Sequence, residues 1–168
     1  MVTSIQPTAF DFLQKISVNN NREWFATNKA DYVTAHTEMK AFAATLSDLM
    51  NQVDKIEKVK VYRIYRDVRF SKDKTPYKNS LSVSLVRATK WLRGGYYFHI
   101  EPDNCFMGAG FWNPNSPDLK RIRQEIAANP DELREILADS AFQTYFGTLE
   151  GDKVKTAPRG YAKDHEAI

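Results

Sequence analysis

Sixteen residues, Arg63 to Lys78 (RIYRDVRFSKDKTPYK), hold six basic side chains, two aspartates, three aromatics and one proline. These residue types bind anions. An arginine presents a planar fork matched to carboxylate or phosphate, and a neighbouring aspartate can orient it. Lysine adds a mobile point charge and tyrosine a hydroxyl donor. Widened to Lys58–Lys78, the window sets eight cations (Lys58, Lys60, Arg63, Arg66, Arg69, Lys72, Lys74 and Lys78) against Asp67 and Asp73, a local charge of +6. The whole chain is +3, with 24 cations and 21 acids, so the remaining sixteen cations and nineteen acids leave −3 elsewhere. Charge concentrated in this way points to an anionic partner more than a high isoelectric point would. In the chemistry this suggests, Arg63, Arg66, Arg69, Lys72, Lys74 and Lys78 hold the anion. Asp67 and His99 are the acid/base candidates and Tyr77 a hydrogen-bond donor. Arg159, in the constrained stretch Pro158-Arg159-Gly160-Tyr161, is a second candidate anion contact.

Several elements must position these groups. Residues 57–70 are rich in β-formers and lack glycine and proline, which predicts a strand. Alternation puts Val61, Arg63, Tyr65, Asp67 and Arg69 on one face, and Tyr62, Ile64, Arg66, Val68 and Phe70 on a second, core-facing one. Ser71 to Pro76 reads as a loop, and a second strand runs from Ser80 to Thr89. Gly94-Gly95 marks a turn, followed by strands over 96–101 and 105–112. Gly108 and Gly110 suggest a bulge or close backbone approach in the last. Short turns between four strands predict an antiparallel meander. If neighbours pair, Tyr97 and His99 share a side with Arg63 and Arg69.

Helical spacing predicts a short helix capped by Thr8, a segment opening at Arg22 and a long helix over 29–52 whose stripe runs Tyr32, Ala35, Met39, Phe42, Leu46 and Leu49. Asn19, Asn20 and Asn21 form a turn and a cap. Trp24 and Phe25 belong to the core, whereas Arg22 and Glu23 flank a turn where a site can form. Further helices are expected from Pro117 or Asp118 to Asn129 and over 131–139, with Phe142, Tyr145 and Phe146 packing on the core. The fold class is α+β: an antiparallel sheet of four or more strands with N-terminal and C-terminal helices packed on it. At 168 residues the chain reads as a single domain, 1–168.

Composition excludes several classes. No run of apolar residues is long enough for a membrane span, and the N-terminus lacks the basic and apolar segments of a signal peptide. The lone Cys105 rules out an internal disulfide and fits a cytoplasmic protein. His36, His99 and His165 lack ligand spacing, so no metal is expected, and arginines disfavour a hard cation at Asp67 or Asp73. Gly108-Ala109-Gly110 is not a dinucleotide fingerprint, and Ser71-Lys72-Asp73-Lys74 matches S-x-x-K by chance, so no cofactor is implied. A Cys105–His99 nucleophile pair is weaker than simple packing of the cysteine.

The spacing Arg63-x-x-Arg66-Asp67-x-Arg69-Phe70, with Asp73-Lys74-x-x-Tyr77 after it, resembles the signature of a bacterial family known as domain of unknown function 2461. The resemblance extends to Asn19-Asn20-Asn21-Arg22-Glu23-Trp24-Phe25, Gly95-Tyr96-Tyr97-Phe98-His99-Ile100, Gly108-Ala109-Gly110-Phe111-Trp112 and Ala157-Pro158-Arg159-Gly160-Tyr161. It implies a fold and a site at the central motif and carries no activity. Members are usually longer, so it also implies a C-terminal element beyond Ile168.

Three functions follow. One is an enzyme acting on a phosphate-bearing small molecule or nucleic acid. Another is a module that binds nucleic acid through phosphate contacts, with Tyr65 or Tyr77 stacking on a base. The third is an Arg/Asp network with a purely structural role. A pocket gathering Arg63, Asp67, Arg69, Tyr77 and His99 favours the first, an exposed basic ridge the second, and fully paired arginines the third.

Overall fold

A computed structural model describes residues 4–88, 92–151 and 153–167. Pro7 opens helix α1 (Pro7–Val18), where its fixed φ suits the first turn and its missing N–H is no loss. Thr8 is therefore not the cap; Gln6 precedes the helix and makes no side-chain cap. Asn21 does cap α2 (Arg22–Thr27), its side chain accepting from the Trp24 amide at 2.9 Å. Helix α3 (Lys29–Met50) buries Tyr32, Ala35, Met39 and Ala43 at helical spacing. Leu49, expected on the same stripe, is exposed.

Four strands follow: β1 (Ile56–Val61), β2 (Leu81–Arg87), β3 (Gly95–Ile100) and β4 (Phe106–Gly110). They pair antiparallel in the order β1-β2-β3-β4, the expected meander. The expected end of the second strand at Thr89 lies outside the described residues. Gly108 and Gly110 keep an unbroken register with β3; the irregularity sits in β1, between Ile56 and Lys58. The architecture is α+β, with the sheet and six helices.

The sheet has two chemically distinct faces. Leu81, Val83, Leu85 and Ile100 form a core with Phe12, Leu13, Ile16, Phe25, Met39 and Ile64. Each such side chain contributes about 1.5–3 kcal/mol of burial. Register places Ser82 opposite His99 and His99 opposite Phe106. It also places Lys60 opposite Ser84, Ser84 opposite Tyr97 and Tyr97 opposite Gly108. These two rows lie on the other face.

Asp54 ties the end of α3 to the sheet. Its carboxylate accepts from Tyr96 Oη at 2.7 Å, Arg87 Nε at 2.6 Å and the Lys55 amide at 2.7 Å. The Tyr96 hydroxyl foremost, then Arg87, holds the Asp54 carboxyl down at about 2. An unfolded aspartate titrates near 3.9. A lowered native value means the stabilisation is present above about pH 4 and is lost as pH falls towards 2. Thermal melts should therefore show a falling Tm across that window. Asp54→Asn should lower the melting temperature at pH 7 and flatten the decline below pH 4. An undiminished decline in that variant would remove Asp54 from the account.

Residues 113–168 form a second compact unit. It holds α4 (Ser116–Ala128), α5 (Pro130–Ala138) and α6 (Ser140–Phe146). Asn115 and Asp139 cap α4 and α6, accepting from the amides of Asp118 and Phe142 at 2.9 Å. Phe142, Tyr145 and Phe146, expected in the core, instead lie on α6, where Tyr145 and Phe146 are exposed. Among the described residues no helix is long and apolar enough to cross a membrane.

Candidate functional site

The strand expected over 57–70 ends at Val61. Tyr62 still donates its amide to Ser82 O at 2.9 Å, after which the two arms rejoin at one bridge, Tyr65 opposite Tyr77. Arg66 N donates to Pro76 O at 2.9 Å and Lys78 N to Ile64 O at 2.8 Å on either side of it. Between the pairs Val61–Val83 and Tyr65–Tyr77, residues 62–64 on one arm face 78–82 on the other. The slip breaks the period-two pattern. Ile64 is fully buried, while Phe70, expected on the core face, is 95% exposed.

Tyr65 and Tyr77 form a pair whose own amides and carbonyls point away from each other, because the bonds run through their neighbours. Asn20 satisfies those of Tyr77. Its Oδ1 accepts from Tyr77 N at 3.1 Å and its Nδ2 donates to Tyr77 O at 2.9 Å. The Tyr77 ring stacks on Phe25 at 4.0 Å between centroids, and Tyr65 packs edge-on against Phe25 and Tyr32. The basic loop therefore hangs from an aromatic clamp. Asn20→Ala leaves two backbone groups unpaired and should destabilise the fold by roughly 1–3 kcal/mol. Hydrogen exchange at the Tyr77 amide should accelerate, and an unchanged rate would contradict the clamp.

At the tip, Arg66 pairs with Asp73 and Thr75. Asp73 also accepts from the Thr75 amide at 2.9 Å, closing a local turn. Arg66 foremost, then the Thr75 amide, holds the Asp73 carboxyl at about 2. The Arg69 fork grips Asp67, Nε to Oδ1 at 2.9 Å and Nη2 to Oδ2 at 2.6 Å, which depresses that carboxyl. Lys74 Nζ donates to Val68 O at 2.9 Å. Arg63 and Lys72 are exposed, and their side chains make no hydrogen bond or ion pair among the described residues. An open groove of about 670 Å³ lies beside the loop, lined in part by Asn20, Arg22, Glu23, Lys74 and Thr75.

His99 lies elsewhere, on the sheet face opposite the core. Tyr97 Oη stands 3.2 Å from its Nδ1 and Glu101 Oε2 stands 3.1 Å from its Nε2. Phe106 stacks on the imidazole at 4.8 Å. Asn79 Nδ2 and Asn104 Nδ2 donate to the Glu101 carboxylate at 2.6 and 2.9 Å. Burial pushes the Glu101 carboxyl up, but the bonds from His99, Asn104 and Asn79 outweigh it and hold it below its usual value.

The family described as "Conserved hypothetical protein (DUF2461)" matches residues 8–168. The chain belongs to it. No curated protein and no solved structure matches the chain. The DUF2461 match spans both compact units and takes in the loop, the His99 face and Arg159.

Within this DUF2461 chain the residues singled out from sequence fall into separate hydrogen-bond networks. Among the described residues no hydrogen bond, ion pair or ring contact joins His99 to Asp67, Tyr77 or the motif arginines. Tyr77 is 7% exposed in the aromatic clamp, and burial raises its hydroxyl pKa. Arg159 is exposed in the second unit. Cys105 is exposed too, rather than packed, and its Sγ donates to Glu101 O at 3.3 Å. Among the described residues no three His, Cys, Asp or Glu side chains gather as a metal ion would require. Sequence reasoning passed over Asn20 as a clamp, which nothing local signals. Alternation put Tyr62 on the core-facing side with Ile64, whereas its hydroxyl lies 3.1 Å from Ser84 Oγ and its ring beside Tyr97, on the other face.

Proposed function

We propose that the 63–78 loop binds a phosphate-bearing anion, a nucleotide or a nucleic-acid backbone, in a reducing bacterial cytoplasm. One observation carries this reading: Arg63 and Lys72 stand exposed, with no hydrogen bond or ion pair among the described residues, beside Arg66, Arg69 and Lys74 on one short loop. The Arg69–Asp67 pair is open to water, and such pairs contribute little, so a phosphate can displace the carboxylate cheaply. Asp67 is already held by Arg69 and Tyr77 is buried, which supports binding over chemistry at this loop. The structural reading has an observation of its own, since Arg66 and Arg69 each already hold an aspartate.

A thermal-shift panel of phosphate, sulfate, nucleotides and short single-stranded DNA and RNA at two salt concentrations separates the two. Ligands that bind only the folded state raise Tm. Polyanions should raise it most, and added salt should erase the gain. No shift with any anion, together with strong destabilisation in Arg66→Ala and Arg69→Ala, would leave the structural reading standing.

A further inference from the structure

The sheet face opposite the core carries a hydrogen-bonded line of groups that neither the family nor the loop accounts for. Its proton positions follow from its partners. The Glu101 carboxylate receives the two amide groups of Asn79 and Asn104, so it serves as an acceptor. His99 Nε2, 3.1 Å away, must then carry the hydrogen. In the neutral ring that leaves Nδ1 with a lone pair, 3.2 Å from Tyr97 Oη. The phenol proton therefore points at the imidazole. Loss of that proton gives an imidazolium already facing a carboxylate. The order hydroxyl, imidazole, carboxylate is the one that activates nucleophiles in unrelated hydrolases.

The surroundings of Tyr97 fit an anionic electrophile. Gly108 lies directly opposite Tyr97 on β4, and a methyl group added there would meet nothing within 4 Å. The Tyr62 ring lies 6.4 Å from the Tyr97 ring, and Lys60 and Lys78 place their ammonium groups 4.5 and 5.5 Å from the Tyr62 centroid. Neither lysine pairs with a carboxylate among the described residues. Two cations thus gather around the ring that neighbours Tyr97.

We propose that Tyr97 is the nucleophile of a phosphoester-transfer site on this face, with His99 as its base and Glu101 as the positioning residue. Tyr97 Oη bonds to phosphorus as the P–O bond to the leaving alcohol breaks. The phenol proton passes to His99 Nδ1 and from there to the departing oxygen. Lys60 and Lys78 neutralise the non-bridging oxygens. Water, activated by the same imidazole, then cleaves the phosphotyrosyl bond and restores the enzyme. The site shares Lys78 with the loop but uses none of Arg63, Arg66, Arg69, Lys72 and Lys74, so variants at those five positions separate the two readings.

The probe is bis(4-nitrophenyl) phosphate. The full chain should release 4-nitrophenol in a burst, and peptide mass spectrometry should find the aryl phosphate on Tyr97. Tyr97→Phe should abolish the burst. His99→Ala should slow it about 100-fold, the low end for a lost general base. Added imidazole should restore part of that rate, and only while Glu101 is present; His99→Ala with Glu101→Gln should not recover. A merely structural His99 would show no such rescue. Absence of an adduct on Tyr97 overturns the proposal. So does labelling of Tyr145, which is 80% exposed and has no relay, at an equal rate. Labelling of Tyr97 that His99→Ala leaves unchanged overturns it as well. Anion shifts that vanish in loop variants bear only on the loop.

Discussion

Gly95→Ala is expected to destabilise the fold by about 3 kcal/mol, whereas Gly108→Ala should stay within about 0.5 kcal/mol of the parent. Both glycines lie in strands of one sheet, so propensity alone would treat them alike. Gly95 sits in β3 between Val86 and Gly110, and a Cβ built on it would fall 2.3 Å from Leu85 O. That atom is backbone, in the strand that carries Leu81, Val83 and Leu85 into the core, so it cannot swing aside as a side chain would. Relief requires β2 and β3 to part and their ladder bonds to stretch. Gly94 adds a second constraint, with φ of 86° and the Gly110 carbonyl 2.6 Å from its own virtual Cβ. Calorimetry should place Gly95→Ala on the order of 10 °C below the parent. A melting point within about 2 °C of the parent would show that the sheet opens more easily than this packing allows.

The pair Gly94-Gly95 reads from sequence as a turn, and the reason it reads so is instructive. Glycine signals either a positive φ or a close approach, and sequence does not say which. At Gly95 it is the approach of a neighbouring strand, at Leu85, ten residues back along the chain. β2 and β3 were legible because alternation there is strict: Leu81, Val83 and Leu85 against Ser82 and Ser84, then Tyr96, Phe98 and Ile100 against Tyr97 and His99. The same rule misplaces Phe70. Residues 62–70 alternate as a strand does, yet the ladder breaks where residues 62–64 face 78–82 and returns only at the Tyr65–Tyr77 bridge. That unequal count lies in the pairing of two arms and is not written in either one alone. The α6 helix fails differently. Asp139 before Ser140 is a visible cap, but three aromatics drew the reading towards burial, whereas Tyr145 and Phe146 are exposed. At the site, alternation alone puts Tyr97, His99 and Glu101 on one face. Asn79 and Asn104, which fix the protons of that line, come from turns whose direction no pattern encodes.

Neutralising Arg63, Lys72 and Lys74 together should weaken binding of a short single-stranded polyanion on the order of 100-fold at low salt and lower the slope of log affinity against log salt by about 2. The size follows from counterion release, since each lost phosphate contact removes about 0.7 from the slope for a single strand. Lys78 is left in place because its ammonium faces the Tyr62 ring and belongs equally to the sheet face. Arg66 is spared because its removal strands Asp73 and loosens the Thr75 turn, which would confuse lost affinity with lost structure. Arg63 and Lys72 are exposed and unpaired, and Lys74 forms one surface bond to Val68 O. The triple variant should therefore melt within about 1 °C of the parent for each position changed. Fluorescence anisotropy over a salt series reads affinity and slope at once. A parallel drop in both, at unchanged stability, is what direct phosphate contact produces. A loss of affinity with an unchanged slope would mean the anion is held by groups other than these cations, and the basic loop would then be a solvated surface stitched by its own aspartates.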